Sequence, residues 1–360
     1  MLGQRNYLKN LNFIKKLAKK KNWQIDFKLV GQKLRKDRPH FLDFPLVDDS
    51  GKTLFFKTCI FGRQDLCPGL RNEFAIQEWL ESIGGPVGKI YDYAGKGDLF
   101  WYVREYFPQD EGVICQEEDV SPLNVSNITQ LAGWLKFLWQ IKKSQIPADL
   151  FNRLLLTPKN YRTFKQFEEK VIEYLSMLDQ AFKIKNLIWQ EKDRDKVLVF
   201  IRQVKSEIVA VENGEGIVVH GDLSPNNIYF GKKVIIFDWE WICYCDNLLL
   251  GLGIDVANFY TRSWQRLKLG KKFLEEVKKQ NLFNKSIFNQ ALRIGMVFSV
   301  LQKLGPIFRH GFYESEYDQR HFNVLVKIMR EYISEVSGFY TLEAAGVLVV
   351  RQRSEKQDFS

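Results

Sequence analysis

Leu8, Leu11, Ile14 and Leu17 recur every three residues near the start of the chain, which predicts an amphipathic helix within residues 1–24. From Ile25 to Val30 polar and apolar residues alternate, predicting a first strand, and GQKLRKDRPH reads as a polar turn. The stretch PLVDDSGKTLFFKTCI predicts a hairpin turning at Asp49-Ser50-Gly51. Between Arg71 and Ile83 the apolar residues Phe74, Ile76, Trp79, Leu80 and Ile83 make a helical stripe, stopped by Gly84-Gly85-Pro86. Lys89–Tyr93 and Leu99–Glu105 read as two further strands. Past Tyr106-Phe107-Pro108 the pattern turns helical, over 128–143, much of 161–210, and 247–338 with Gln290–Leu304 and His321–Val336. Short strands interrupt this near 217–237, and the last dozen residues read as frayed. The expected architecture is α+β and bilobal: a basic helix over 1–24, a small β-rich N-lobe over 25–107, a larger helical C-lobe over 108–350 and a tail over 351–360, with a cleft between the lobes.

Composition adds a packed, globular character: 45% of the residues are hydrophobic and 14% aromatic. No apolar run approaches the roughly 18 residues of a membrane span. The charged N-terminus does not read as a secretory signal. Five cysteines without C-x-x-C spacing predict a reduced, cytoplasmic protein, with Cys243 and Cys245 at alternating strand positions. The net charge of +10 suggests nucleic acid until it is located. Residues 1–40 hold twelve Lys and Arg against two Asp, so the whole excess sits there and the remaining body is formally neutral. That segment reads first as a solvated helix packed on the body, and second as a contact for nucleic acid or anionic membrane.

The chemistry concentrates in IVVHGDLSPNNIYFGKKVIIFDWEW, residues 217–241. Asn, Asp, Ser and Pro are turn formers, so a plain surface turn is one reading. The second reading follows from the hairpin Ile228–Phe237, which brings its two ends together. Asp222 and Asn227 before it then meet Asp238 after it. Two carboxylates and an amide beside a cleft suit Mg²⁺, a hard ion that takes oxygen ligands. Phosphoryl transfer needs that metal charge together with a carboxylate that orients the attacking hydroxyl.

The stretch H-G-D-L-x-P-x-N followed by D-W-E resembles the aminoglycoside phosphotransferase and choline kinase family of the protein-kinase-like superfamily. The resemblance implies a protein-kinase-like fold using ATP or GTP and Mg²⁺, with Asp222 as catalytic base and Asn227 as a metal ligand. Asp238 would be the main metal ligand, Glu240 an auxiliary one, and His220 a structural support. It further implies Lys57 on the third strand as the phosphate-holding lysine, paired with Glu73 (Glu78 in reserve). Glu105, Tyr106 and Phe107, after Arg104, would form the hinge beside the nucleobase, and Asp255 in GIDVANFYTR would buttress the loop. Leu138 is followed by Trp139 where the family often has His, a departure that reads as core packing. No G-x-G-x-x-G occurs, so Lys33, Arg35, Lys36 and Arg38 stand as candidates to cover the phosphates beside the equal reading of a solvated basic turn.

The implied activity is a phosphotransferase with an alcohol group as acceptor, acting on an aminoglycoside, amino alcohol or sugar. Acidic residues past the hinge (Asp110, Glu111, Glu117, Glu118, Asp119) read mainly as a solvated loop and secondarily as a wall for a cationic acceptor. An atypical protein Ser/Thr kinase is the rival. Against it, Gly221 stands where regulated protein kinases carry Arg, and only sixteen residues separate Asp238 from Asp255. A non-catalytic nucleotide-binding module docking through the basic N-terminus is the third reading.

Overall fold

The computed structural model describes residues 4–35, 41–96, 99–108, 110–115, 124–155, 163–212 and 214–344. Two helices, α1 (Gln4–Lys21) and α2 (Phe27–Arg35), precede an antiparallel sheet of β1 (Leu42–Val47), β2 (Thr53–Thr58), β3 (Ile90–Lys96) and β4 (Leu99–Glu105). Its strand order is β1-β2-β4-β3, and α3 (Cys67–Ser82) connects β2 to β3. Beyond the hinge come β5 (Val113–Ile114) and the helices α4 (Val125–Gln140), α5 (Ala148–Leu155), α6 (Phe164–Met177) and α7 (Glu191–Ala210). Four short strands follow, β6 (Ile217–Val219), β7 (Ile228–Phe230), β8 (Val234–Ile236) and β9 (Cys243–Cys245). The chain closes with α8 (Leu248–Arg262), α9 (Leu267–Lys279), α10 (Lys285–Arg309) and α11 (Glu316–Ala344). This is the bilobal α+β arrangement, an N-terminal sheet region followed by a larger helical region.

Three differences from the sequence pattern have physical causes. Residues 27–35 are helix, not strand: Asp26 caps the helix by accepting from the Lys28 and Leu29 N–H groups at 2.8 and 3.1 Å. The one strand-like contact nearby, a bridge from Gln24 to Val47, lies just before the expected strand. Lys57 consequently sits on the second strand of the sheet, not the third. The first half of the predicted polar turn, residues 31–35, is helical instead: Lys33 lies in α2 and pairs with Asp43 at 2.6 Å, while Arg35 stacks over Tyr7. Lys36 and Arg38, like Glu117, Glu118, Asp119 and the 351–360 tail, lie outside the described residues. Finally, Cys59 and Cys67 are joined in a disulfide, against the expectation of reduced thiols; Cys115, Cys243 and Cys245 are free and buried.

Helix α1 shares a core with the sheet. Ile14, Val30 and Leu34 pack with Phe44, Phe56 and Trp101, and Lys21 reaches Asp92 of β3 at 2.7 Å. Part of the N-terminal basic charge is therefore spent inside the fold. Helix α10 is long and apolar enough to cross a membrane by composition, yet most of that stretch is buried. It meets α8 where Gly253 and Gly295 let the two backbones touch, since a Cβ at either would collide with the other helix. That close crossing fixes α8, which carries Asp255 under the loop that begins at His220.

Candidate active site

The register of the N-lobe sheet builds the upper half of the site. Asp43, Lys57 and Tyr102 stand side by side across β1, β2 and β4, so their side chains share one face. Lys57 Nζ meets Glu73 of α3 at 2.9 and 2.7 Å. Glu73 Oε1 also accepts from the Tyr102 hydroxyl at 3.0 Å and Gln77 Nε2 at 3.1 Å. Glu78, one turn on, is exposed. Burial alone would lower the Lys57 pKa, but the charges of Glu73, Tyr102 and Asp238 overcome it and raise the ammonium well above its ordinary value. The Tyr102 hydroxyl is pushed up first by burial and then by Glu73.

The lower half is a loop locked from three sides. Asp255, fully buried, accepts from the His220 N–H at 2.8 Å and the Gly221 N–H at 2.9 Å, one to each oxygen. Its burial raises its pKa, a push opposed by His220 and those two N–H groups. The His220 ring donates from Nε2 to the Phe237 carbonyl at 2.7 Å and accepts the Asp222 N–H at Nδ1. Those partners fix the tautomer with its proton on Nε2 and tie the loop to the residue before Asp238. Gly221 holds φ +80°, and a Cβ there would strike the Trp241 carbonyl oxygen, so no side chain fits.

The hairpin then closes as its sequence implies. Ile228 pairs with Ile236, and the Phe237 N–H donates to the Asn227 carbonyl at 2.8 Å. The Asn227 amide donates to the Asp222 carbonyl at 3.0 Å, leaving its oxygen for another role. Asp238 occupies the left-handed region at φ 60°, ψ 56°, a strained conformation for a non-glycine residue that is found where a side chain must be aimed. Glu240 is solvent-exposed and does not line the cavity, and its pKa is raised by desolvation and then by Asp238 and Glu73.

Lys57, Glu73, Asn227 and Asp238 line one cavity of about 430 Å³, together with Phe55, Arg104, Tyr106 and Phe107. Asp222 lies one hydrogen bond beyond it, through Asn227. Glu105 faces instead the neighbouring groove with Lys52 and Tyr229, a groove that Glu111 also lines. Among the described residues no three His, Cys, Asp or Glu side chains form a metal cage. The donors that do converge, one carboxylate and one amide oxygen, suit Mg²⁺, which keeps waters and phosphate oxygens among its ligands.

Several neighbours escaped the sequence reading. Arg262 Nη2 donates to Asp222 Oδ1 at 3.1 Å. It lies two helical turns after Asp255 on α8, a spacing that places both on one face, so that signal was available. Gln77 and Tyr102 carry no motif; the sheet register and the helix pitch bring them to Glu73.

A sequence search of curated proteins finds no match. Similar solved structures include the macrolide 2'-phosphotransferase MphH from Brachybacterium faecium, at 11% identity over 88% of this chain and 98% of that one, with a TM-score of 0.51. The choline kinase LicA from Streptococcus pneumoniae matches at 15% identity over 80% and 90% of the two chains, with a TM-score of 0.48. The model of the phosphotransferase enzyme family (APH) matches residues 44–264, from β1 to just past Arg262, more than half of the sequence. By that match, and with the fold it implies in place, the chain belongs to the phosphotransferase enzyme family, within the aminoglycoside and choline kinase-like superfamily.

Proposed function

We propose that this protein transfers the γ-phosphoryl group of a Mg²⁺-bound nucleoside triphosphate to a hydroxyl of a small molecule, with Asp222 as the base. The observation that carries the reading is one cavity lined from both lobes, by Lys57 and Glu73 above and Asn227 and Asp238 below. In this reading Lys57, held by Glu73, binds phosphate oxygens and brings positive charge to them. Asp238 and the Asn227 oxygen hold Mg²⁺, whose charge, when bound, offsets that of the phosphates. Asp222, oriented by Arg262 and by its own N–H bond to His220, accepts the proton of the attacking hydroxyl.

Two observations favour a small acceptor over a protein. Gly221 has no room for the arginine of regulated protein kinases. From Asp238 the chain passes through a 3₁₀ turn and the fully buried β9 directly into α8, with no exposed segment to serve as a switch or peptide platform. Aminoglycosides, amino alcohols and sugars are the acceptor classes to try. Retention of Asp222 beside Asn227 and Asp238 argues against a purely nucleotide-binding module docked through α1.

The test is a panel of hydroxylated acceptors scored by acceptor-dependent release of nucleoside diphosphate. Asp222→Asn is expected to lower turnover by about 10²–10⁴-fold while Mg-nucleotide still raises the Tm. Turnover within threefold of the parent would remove Asp222 from its role. A response to protein acceptors alone would overturn the small-molecule reading.

A further inference from the structure

The cavity is lined by charged and polar groups, Lys57, Glu73, Asn227 and Asp238, and by aromatic and apolar ones, Phe55, Phe107, Ile114 and Phe237. A nucleoside triphosphate combines the same two characters, so its base belongs against the aromatic groups. Arg104 stands among them. The sheet register sets Arg104 opposite Phe55, and Phe55 precedes Lys57 by two residues, which puts all three side chains on the cavity face. The guanidinium carbon lies 4.4 Å from the centroid of the Phe55 ring and 4.5 Å from that of Phe237. The two rings therefore bracket a planar cation on the wall of the cavity.

That cation has strict hydrogen-bonding demands. Burial pulls its pKa down, against the opposing pull of Tyr102, Glu73 and Asp43. Nη1 donates to the Glu105 carbonyl at 3.2 Å, where β4 passes into the connection between the lobes. A guanidinium offers five N–H donors in a rigid fork and no acceptor. A base that enters the cavity beside Arg104 meets the donors of its guanidinium.

We propose that Arg104 makes this protein selective for a 6-oxopurine nucleotide, GTP over ATP, by pairing its guanidinium with the O6 and N7 edge of guanine. The inference rests on the phosphotransferase reading of the cavity. Guanine presents two acceptors on that edge at the spacing of the guanidinium fork. Adenine presents one acceptor and an amino donor, which would point at another donor. The Glu105 carbonyl, an acceptor suited to an amino hydrogen, already engages Nη1. A bidentate match of this kind discriminates against the wrong base by about 5- to 150-fold.

The experiment is calorimetric titration of the full chain, with Mg²⁺, by GTP, ITP and ATP. ITP keeps O6 and N7 but lacks the 2-amino group. GTP and ITP are expected to bind alike, each at least about tenfold tighter than ATP. Arg104→Met removes every donor and keeps an apolar stem between the rings, and should bring GTP and ATP within about twofold of each other. Arg104→Lys, which keeps the charge without the fork, should lose most of the preference too, and serves if the Met variant does not fold. ATP binding as tightly as GTP, ITP behaving like ATP, or a GTP preference unchanged in the variants would each overturn the role of Arg104. Binding of no nucleotide at all would instead sink the phosphotransferase reading, and the selectivity with it.

Discussion

Replacing Glu73 by Gln isolates the central ion pair. The Lys57 and Glu73 side chains are 15% and 3% exposed, so water does little to screen their 2.7 Å contact. Gln keeps one acceptor for the Tyr102 hydroxyl and Gln77, and those two neutral bonds survive. What is lost is the charge and one bond to Lys57, with an amide donor now turned toward an ammonium. Breaking a buried pair by removing one partner costs about 3–5 kcal/mol. Asp238 also acts on the Lys57 charge and compensates part of the loss, which points to the lower end, about 3 kcal/mol. Urea denaturation at neutral pH reads this as a fall in midpoint with unchanged slope. Lys57, freed from its anchor, should also cost on the order of 10²-fold in kcat/KM for the nucleotide. Glu78→Gln, on the exposed side of α3, is the control and should stay within about 0.5 kcal/mol. Equal effects of the two substitutions, or a loss below about 0.5 kcal/mol at Glu73, would refute the reasoning.

Two further outcomes follow from groups outside the cavity. Burial, then Lys303 and Arg262, hold the His321 pKa down to about 3 from 6.5. The unfolded chain therefore takes the proton first, so this stability is complete above about pH 6.5 and is lost as pH falls toward 3, by up to about 1.4 kcal/mol per unit. His321→Phe, which keeps a ring against Trp264, should flatten that slope in urea titrations between pH 4 and 7; an unchanged slope would exclude His321 as its source. The Cys59–Cys67 bond closes a short loop, with a sequence separation of 8, between the strand of Lys57 and the helix of Glu73. Reducing it should cost about 2.5 kcal/mol of unfolding free energy, and thiol titration of the denatured oxidised chain should count the three free cysteines. Five thiols without reductant would show that the bond does not form.

The contrast between 217–241 and 25–40 explains what could be read from the sequence. In 217–241 the loop, strand, turn and strand are local, and alternation with turn residues dictates a hairpin whose ends must meet. Asn227 and Asp238 could thus be placed side by side without any long-range information. Residues 25–30 were ambiguous because a short apolar-polar alternation fits one helical turn as well as a strand. The Asp26 cap and the packing of Val30 and Leu34 against the sheet resolve it. The cysteines misled for a related reason: spacing shows nothing of the bend that carries α3 back beside the end of β2.

The sequence by itself determined the hairpin, helix and two strands between residues 45 and 105, and the 220–227 loop with its returning aspartate, because each depends on neighbours within a few residues. The choice of Glu73 over Glu78 as the partner of Lys57 was legible in the sequence and is the one the structure makes, whereas tertiary structure alone decided that Arg262 reaches Asp222 and that Arg104 lies between Phe55 and Phe237. Those choices depend on strand register and helix rotation. A shift of one residue in a strand sends every side chain to the opposite face, and only packing of the whole sheet against its helices sets that register.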